Sequence, residues 1–210
     1  PSWLFLFHGV YGRMYSLFLF LSLACLLALL RALDHGGRGP WALWVATALL
    51  TVAAHPYGVL MLGGQGLFVL VARRDRIRSA ALAGGFVLVL GIPFWLTDLV
   101  LAGRFDIGVG GGGAKLGGPE AVARYLWRSA GDASAGWWPV TVLAVTAAVV
   151  GVARMRRDAQ ALVLCSLGAT LVAFLVAKLG NSAAPESRHL IFLLPLFAGM
   201  TDAQLDCVCE

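Results

Sequence analysis

The chain has 210 residues, 60% of them hydrophobic and 13% charged, with a mean hydropathy of +0.83 and a formal net charge of +5. A soluble domain carries roughly 25% charged residues, so an ordinary soluble enzyme and a disordered chain are excluded. A nucleic-acid-binding domain is excluded too, because the basic residues lie between apolar runs and not on one face.

Seven apolar runs follow one another: Tyr11–Leu30, Trp41–Ala54, Tyr57–Ala72, Ala80–Ala102, Trp137–Val152, Ala159–Leu179 and Leu190–Met200. Leu and Ala dominate them, and they are too long or too unbroken for strands. The predicted fold is therefore all-α: a polytopic transmembrane helical bundle of about seven membrane segments, a single domain over residues 1–210. Seven spans use about 140 residues, which leaves room for loops but not for a large soluble domain. Residue 1 is Pro, and Pro1–Val10 already reads as the end of an apolar segment, with no signal-peptide pattern. The sequence is thus expected to be an internal fragment of a longer protein.

Charge between the runs sets an orientation. Arg31 and Arg38, then Arg73, Arg74, Arg76 and Arg78, then Arg154, Arg156 and Arg157 supply nine of the 16 basic residues from three short loops. These loops alternate with the others along the chain. The positive-inside rule predicts that 31–38, 73–78 and 154–157 are cytoplasmic and that the protein is a multi-pass plasma-membrane protein. The remaining loops, 1–13, 55–56, 103–136 and 180–188, are then outer.

Trp41–Ala54 and Tyr57–Ala72 are short. Each rises only about 21–24 Å, against a hydrocarbon core of about 30 Å. A thin transmembrane pair or a re-entrant hairpin fits; one long helix would put two arginine loops on opposite sides, against the charge rule. Either hairpin places His55, Pro56 and Tyr57 at the outer face.

The outer loop 103–136 has two parts. Gly108–Gly118 is glycine-rich, and its G-x-G-x-x-G lacks the strand and helix that a nucleotide site requires. Residues 119–130 read as a short basic amphipathic helix: Pro119 suits a first helical position, Glu120 suits a helix N-terminus, and Val122, Tyr125 and Leu126 recur at helical spacing. Such a helix lies in a membrane interface or packs on the bundle.

Polar groups at outer helix ends are the candidate site residues, because charge near a bilayer is expensive. Arg13 opens the first run, with Tyr15 beside it, and could grip a lipid phosphate in a bidentate way; an interfacial anchor competes as an explanation. Arg188 and His189 open the last run, where snorkelling to the headgroups competes. His55 is either a hydrogen-bond donor to a polar substrate or a filler of the Pro56 break. No acid pair, H-x-x-x-H, G-x-S-x-G or C-x-x-C occurs, so spacing nominates no catalytic residue. Cys25 and Cys165 read as inert core thiols, and the lone C-x-C at Cys207 and Cys209 lacks a second ligand pair for zinc. No metal site and no cofactor are expected.

Three stretches together resemble a family. They are Gly12-Arg13-Met14-Tyr15-Ser16-Leu17, Thr51-Val-Ala-Ala-His55-Pro56-Tyr57-Gly58, and Glu186-Ser187-Arg188-His189-Leu190 running to Pro195. In order and spacing they are similar to the middle and late helices of bacterial type-C glycosyltransferases, the protein mannosyltransferase-like and lipid A aminoarabinose transferase-like enzymes. That family's pattern is an Arg-x-Tyr opening a helix, a small–His–x–Tyr/Gly break, and an Arg-Tyr-Leu…Pro helix; here His189 stands where Tyr is usual. The resemblance implies transfer of a sugar from a polyprenyl-phosphate carrier to an acceptor on the outer face. It implies substrate-binding roles for Arg13, Tyr15, His55, Tyr57, Arg188 and His189, with the arginines on the carrier phosphate. Its catalytic Asp is expected upstream of Pro1, so the fragment alone should be inactive. The implied partners are a lipid-linked sugar donor and membrane lipid, with no nucleic acid. Two other classes fit the composition: a polytopic transporter or flippase, and a non-catalytic membrane subunit.

Overall fold

The computed structural model describes residues 14–105, 118–133 and 136–177. Among these residues every regular element is helical, so the fold is all-α. The helices are α1 (Met14–His35), α2 (Arg38–Ala54), α3 (Gly58–Ala72), α4 (Ile77–Leu90), α5 (Ile92–Phe105), α6 (Pro119–Ala133), α7 (Trp138–Arg154), α8 (Arg157–Val163) and α9 (Thr170–Ala177). A 3₁₀ turn, Arg74–Arg76, precedes α4, and a π-helical turn, Leu164–Ala169, joins α8 to α9.

Two stretches are long and apolar enough to cross a membrane, Ser16–His35 and Arg157–Val176; Gly58–Ala72 and Trp138–Arg154 are apolar but shorter. Large apolar side chains also face outward in numbers, among them Leu82 at 71%, Leu99 at 69% and Leu143 at 70% exposure.

The chain reverses between α1 and α2 at Gly36 and Gly37, whose positive φ angles (65° and 79°) suit glycine, and the Gly36 N–H caps the Ala32 carbonyl at 3.0 Å. It reverses again at His55-Pro56. Trp44 on α2 and Gln65 on α3 hydrogen-bond at 2.9 Å, which pairs the two helices as an antiparallel hairpin and excludes one continuous helix. At the far end of α3, Arg73 returns to α1. Its Nη1 donates to Asp34 at 2.9 Å and its Nη2 to the Leu33 carbonyl at 2.9 Å. The loops around 31–38 and 73–78 therefore share one end of the bundle.

The segment from α8 to α9 lies along α3 in the opposite direction. A Cβ added to Gly64 would stand 2.7 Å from the Cys165 carbonyl and 2.6 Å from Thr170 Oγ1, so only glycine permits this approach. Thr170 donates to the Leu60 carbonyl at 3.3 Å, and Phe174 reaches Tyr57. Arg157 thus starts its helix at the arginine end, so all three basic loops gather there. The main core runs from mid-length toward the arginine end, built from Leu29, Leu33, Trp41, Trp44, Phe68 and Cys165 with their neighbours.

The predicted run Ala80–Ala102 is two helices rather than one. Pro93 lacks the N–H that a continuous helix needs, and the break falls at Gly91. Trp95 folds back so that its Nε1 donates to the Leu88 carbonyl at 3.0 Å. The indole ring leaves no room for a side chain at Gly91, where a Cβ would meet Nε1 at 2.6 Å.

Candidate functional site

The His55-Pro56-Tyr57-Gly58 turn is built residue by residue. Proline disfavours helix for the residue before it, and His55 is extended at φ −162°, ψ 135°. The Gly58 N–H closes the turn on the His55 carbonyl at 2.9 Å. Gly58 has no alternative: a Cβ there would sit 2.9 Å from the Thr51 carbonyl oxygen. The Tyr57 N–H donates to His55 Nδ1 at 3.1 Å, so that nitrogen is an acceptor and the imidazole's N–H is Nε2.

Around this turn four segments converge. The His55 ring lies 4.9 Å from Phe18 of α1 and 4.8 Å from Tyr57. Tyr57 meets Phe174 of α9 edge-on at 5.4 Å, and Phe174 stacks with Tyr125 of α6 at 6.2 Å. Phe18, Tyr57, Met61, Tyr125 and Phe174 form a second buried core, distinct from the main one. It occupies the end opposite the arginine loops. Aromatic pairs in these arrangements add about 0.5–1.5 kcal/mol each beyond burial.

Helix α6 covers this cluster. Its apolar residues Val122, Tyr125 and Leu126 pack on the aromatic core. Its other face carries exposed Trp127 and a surface ion pair between Arg124 and Glu120 one turn apart. Bundle contact and an exposed basic, aromatic face thus coexist on one helix. Burial pushes the Tyr125 phenol well above its ordinary range, with a smaller contribution from nearby Tyr57 and partial relief from Ser129.

Of the six residues singled out in the sequence, the structure brings His55 and Tyr57 together. Tyr15 falls in the first turn of α1, three residues before Phe18. Arg13, Arg188 and His189 lie outside the described residues, as do residues 108–117 of the glycine-rich stretch and Cys207 and Cys209. No group of three or more metal-ligating side chains occurs among the described residues. The cluster offers an imidazole held among aromatic rings, with Nδ1 taken up by the Tyr57 N–H.

Sequence reasoning missed Phe18, Tyr125 and Phe174 as partners of His55 and Tyr57, because nothing local marks them. It also missed Gln65, 1% exposed, whose Oε1 accepts from both Trp44 and the Cys25 thiol. A lone amide in an apolar run was its visible signal. No protein-family model, curated protein or solved structure matches this chain.

Proposed function

We propose that this chain is the body of a multi-pass membrane glycosyltransferase that moves a sugar from a polyprenyl-phosphate carrier to an acceptor on the outer face. One observation carries the reading: the His55–Tyr57 turn, the start of α1 and the amphipathic α6 converge at the end away from the arginine loops. That is the end at which the Arg-x-Tyr and His-x-Tyr elements of the resemblance would have to meet. The outward-facing apolar side chains support a bilayer around it, since patches of that extent on soluble proteins are rare.

In this reading Arg13 and Arg188 bind the carrier phosphate as negative charge develops on it, while His55 and Tyr57 line the cavity wall. The test uses membranes holding the protein from its entire reading frame and a synthetic polyprenyl-phosphate sugar. Arg13→Ala and Arg188→Ala should each lower transfer about a hundredfold, the scale of one lost oxyanion donor, with membrane levels unchanged. His55→Asn, which keeps an acceptor for the Tyr57 N–H, should fold and still lose activity. Near-normal turnover in both arginine variants would reject the phosphate role.

One observation favours transport instead. Helices are interrupted at His55, at Gly91 and at the π-helical turn Leu164–Ala169, and broken helices mark many transporter sites. Uptake of lipid-linked sugar into vesicles, with no transfer product, would decide for that class.

A further inference from the structure

We infer that the groove between α2 and α4 is a binding site for one anionic phospholipid of the leaflet at the arginine end. The groove has a volume of about 820 Å³ and begins at Arg38 and Ser79, the first residues of its two walls after Gly37. It continues past Trp41, Ala46, Ala83 and Phe86 to Leu49 and Leu90. Both helices leave the arginine end in the same direction, so one mouth is charged and everything beyond it is apolar.

Length selects the occupant. From Arg38 to Leu49, and from Ser79 to Leu90, each wall rises about 16 Å at 1.5 Å per residue. That is about half of a 30 Å hydrocarbon core, the depth of one leaflet. A partner transmembrane helix would need the full thickness; a lipid tail does not. The floor is low at Ala46 and Ala83, and the rim is high at Leu82, Phe86 and Leu90, exposed by 71%, 62% and 54%. These three residues stand one turn apart along α4, so an acyl chain laid over the alanines is flanked on that side by a continuous apolar wall.

Charge selects the headgroup. Two acids at this end are engaged elsewhere, Asp34 by Arg73 and Asp75 by Arg73 and Arg76; a third, Asp158 at the start of α8, does not line the groove. Arg38 has no such partner among the described residues and stands at the groove mouth. Basic pockets between membrane helices on the cytoplasmic side attract anionic headgroups. The inference needs a membrane around the bundle but not the glycosyl-transfer reading.

The test is native mass spectrometry of the delipidated full chain, titrated with phosphatidylglycerol and phosphatidylcholine of identical acyl chains. Phosphatidylglycerol should bind as a single retained molecule, preferred about fivefold, the worth of one cation near a bilayer surface. Arg38→Gln should erase the preference and Arg38→Lys restore most of it. Arg154→Gln, at the same end but outside the groove, should leave it intact. Ala46→Phe, a change at an exposed position, should weaken retention of both lipids. Equal losses from Arg38→Gln and Arg154→Gln would mean diffuse attraction only and overturn the site. So would unchanged retention in Ala46→Phe, displacement by glycerol 3-phosphate, or a dimer that Ala46→Phe dissociates.

Discussion

The indole N–H of Trp44 donates to Gln65 Oε1 at 2.9 Å, and these two residues lie almost equidistant from the turn at His55-Pro56. One polar contact thereby sets the register of the α2–α3 hairpin at mid-length. The same oxygen accepts from the Cys25 thiol at 3.5 Å, which ties α1 to the pair. The Gln65 Nε2, equally buried, has no partner among the described residues.

A double-mutant cycle should expose this link. Trp44→Phe and Gln65→Leu should each destabilise the bundle, and the double variant should lose less than the sum. Coupling of about 0.6–1.7 kcal/mol is expected, the range for interhelical hydrogen bonds in membranes. Reversible unfolding in mixed micelles measures it, and strict additivity would mean the contact carries no coupling.

Neighbouring glycines on α3 should behave oppositely. Gly64→Ala pushes a methyl into the Cys165 carbonyl, which is backbone and cannot rotate away, so a loss of about 1–3 kcal/mol is expected. Gly63→Ala meets nothing within 4 Å and should be neutral or stabilising by about 0.5–1 kcal/mol. The same unfolding assay on both variants decides whether the π-helical turn really rests on α3 at this point.

Alkaline stability should report on Tyr125. Its folded pKa lies above the unfolded value of 10.0, so above that pH the unfolded chain releases a proton that the folded one keeps. Stability is then full below about pH 10 and falls as pH rises through the unfolded value toward the folded one. Tyr125→Phe should flatten that decline. An unchanged alkaline limb would mean that α6 does not bury this phenol.

Membrane-impermeant thiol labelling should find one common side for the three arginine loops. With the native cysteines replaced, single cysteines at Gly37, Asp75 and Arg156 should label together from the cytoplasm, while one at Trp127 should label from outside. Labelling of Gly37 and Asp75 from opposite faces would contradict the shared end that Arg73 and Asp34 define.

Much of the architecture could be read in advance. Leu- and Ala-rich runs become helices, since the bilayer-like composition leaves no other way to satisfy the backbone, and His55-Pro56 stops α2 because proline has no N–H to offer. The gathering of basic loops at one end also follows from their alternation. Other features depend on distant partners. The break at Gly91 lies inside an apolar pattern that does not pause, and is completed by the Trp95 indole. The π-helical turn at Leu164–Ala169 faces Gly64, about a hundred residues earlier. The aromatic cluster takes one ring from each of several segments, so no local spacing announces it, and only His55 and Tyr57 stood out through the turn they share.

In the proposed multi-pass reading, the shortness of α2 and α3 has a consequence for the lipid around them. Their 17 and 15 residues rise about 26 and 22 Å, and a bilayer meeting them must thin or draw their polar ends toward the hydrocarbon. Such hydrophobic mismatch costs fractions of a kcal/mol per Å, and two adjacent short helices concentrate it on one flank. The protein should therefore be at ease among shorter acyl chains, and membrane thickness itself becomes a variable to which the His55 end of the hairpin responds.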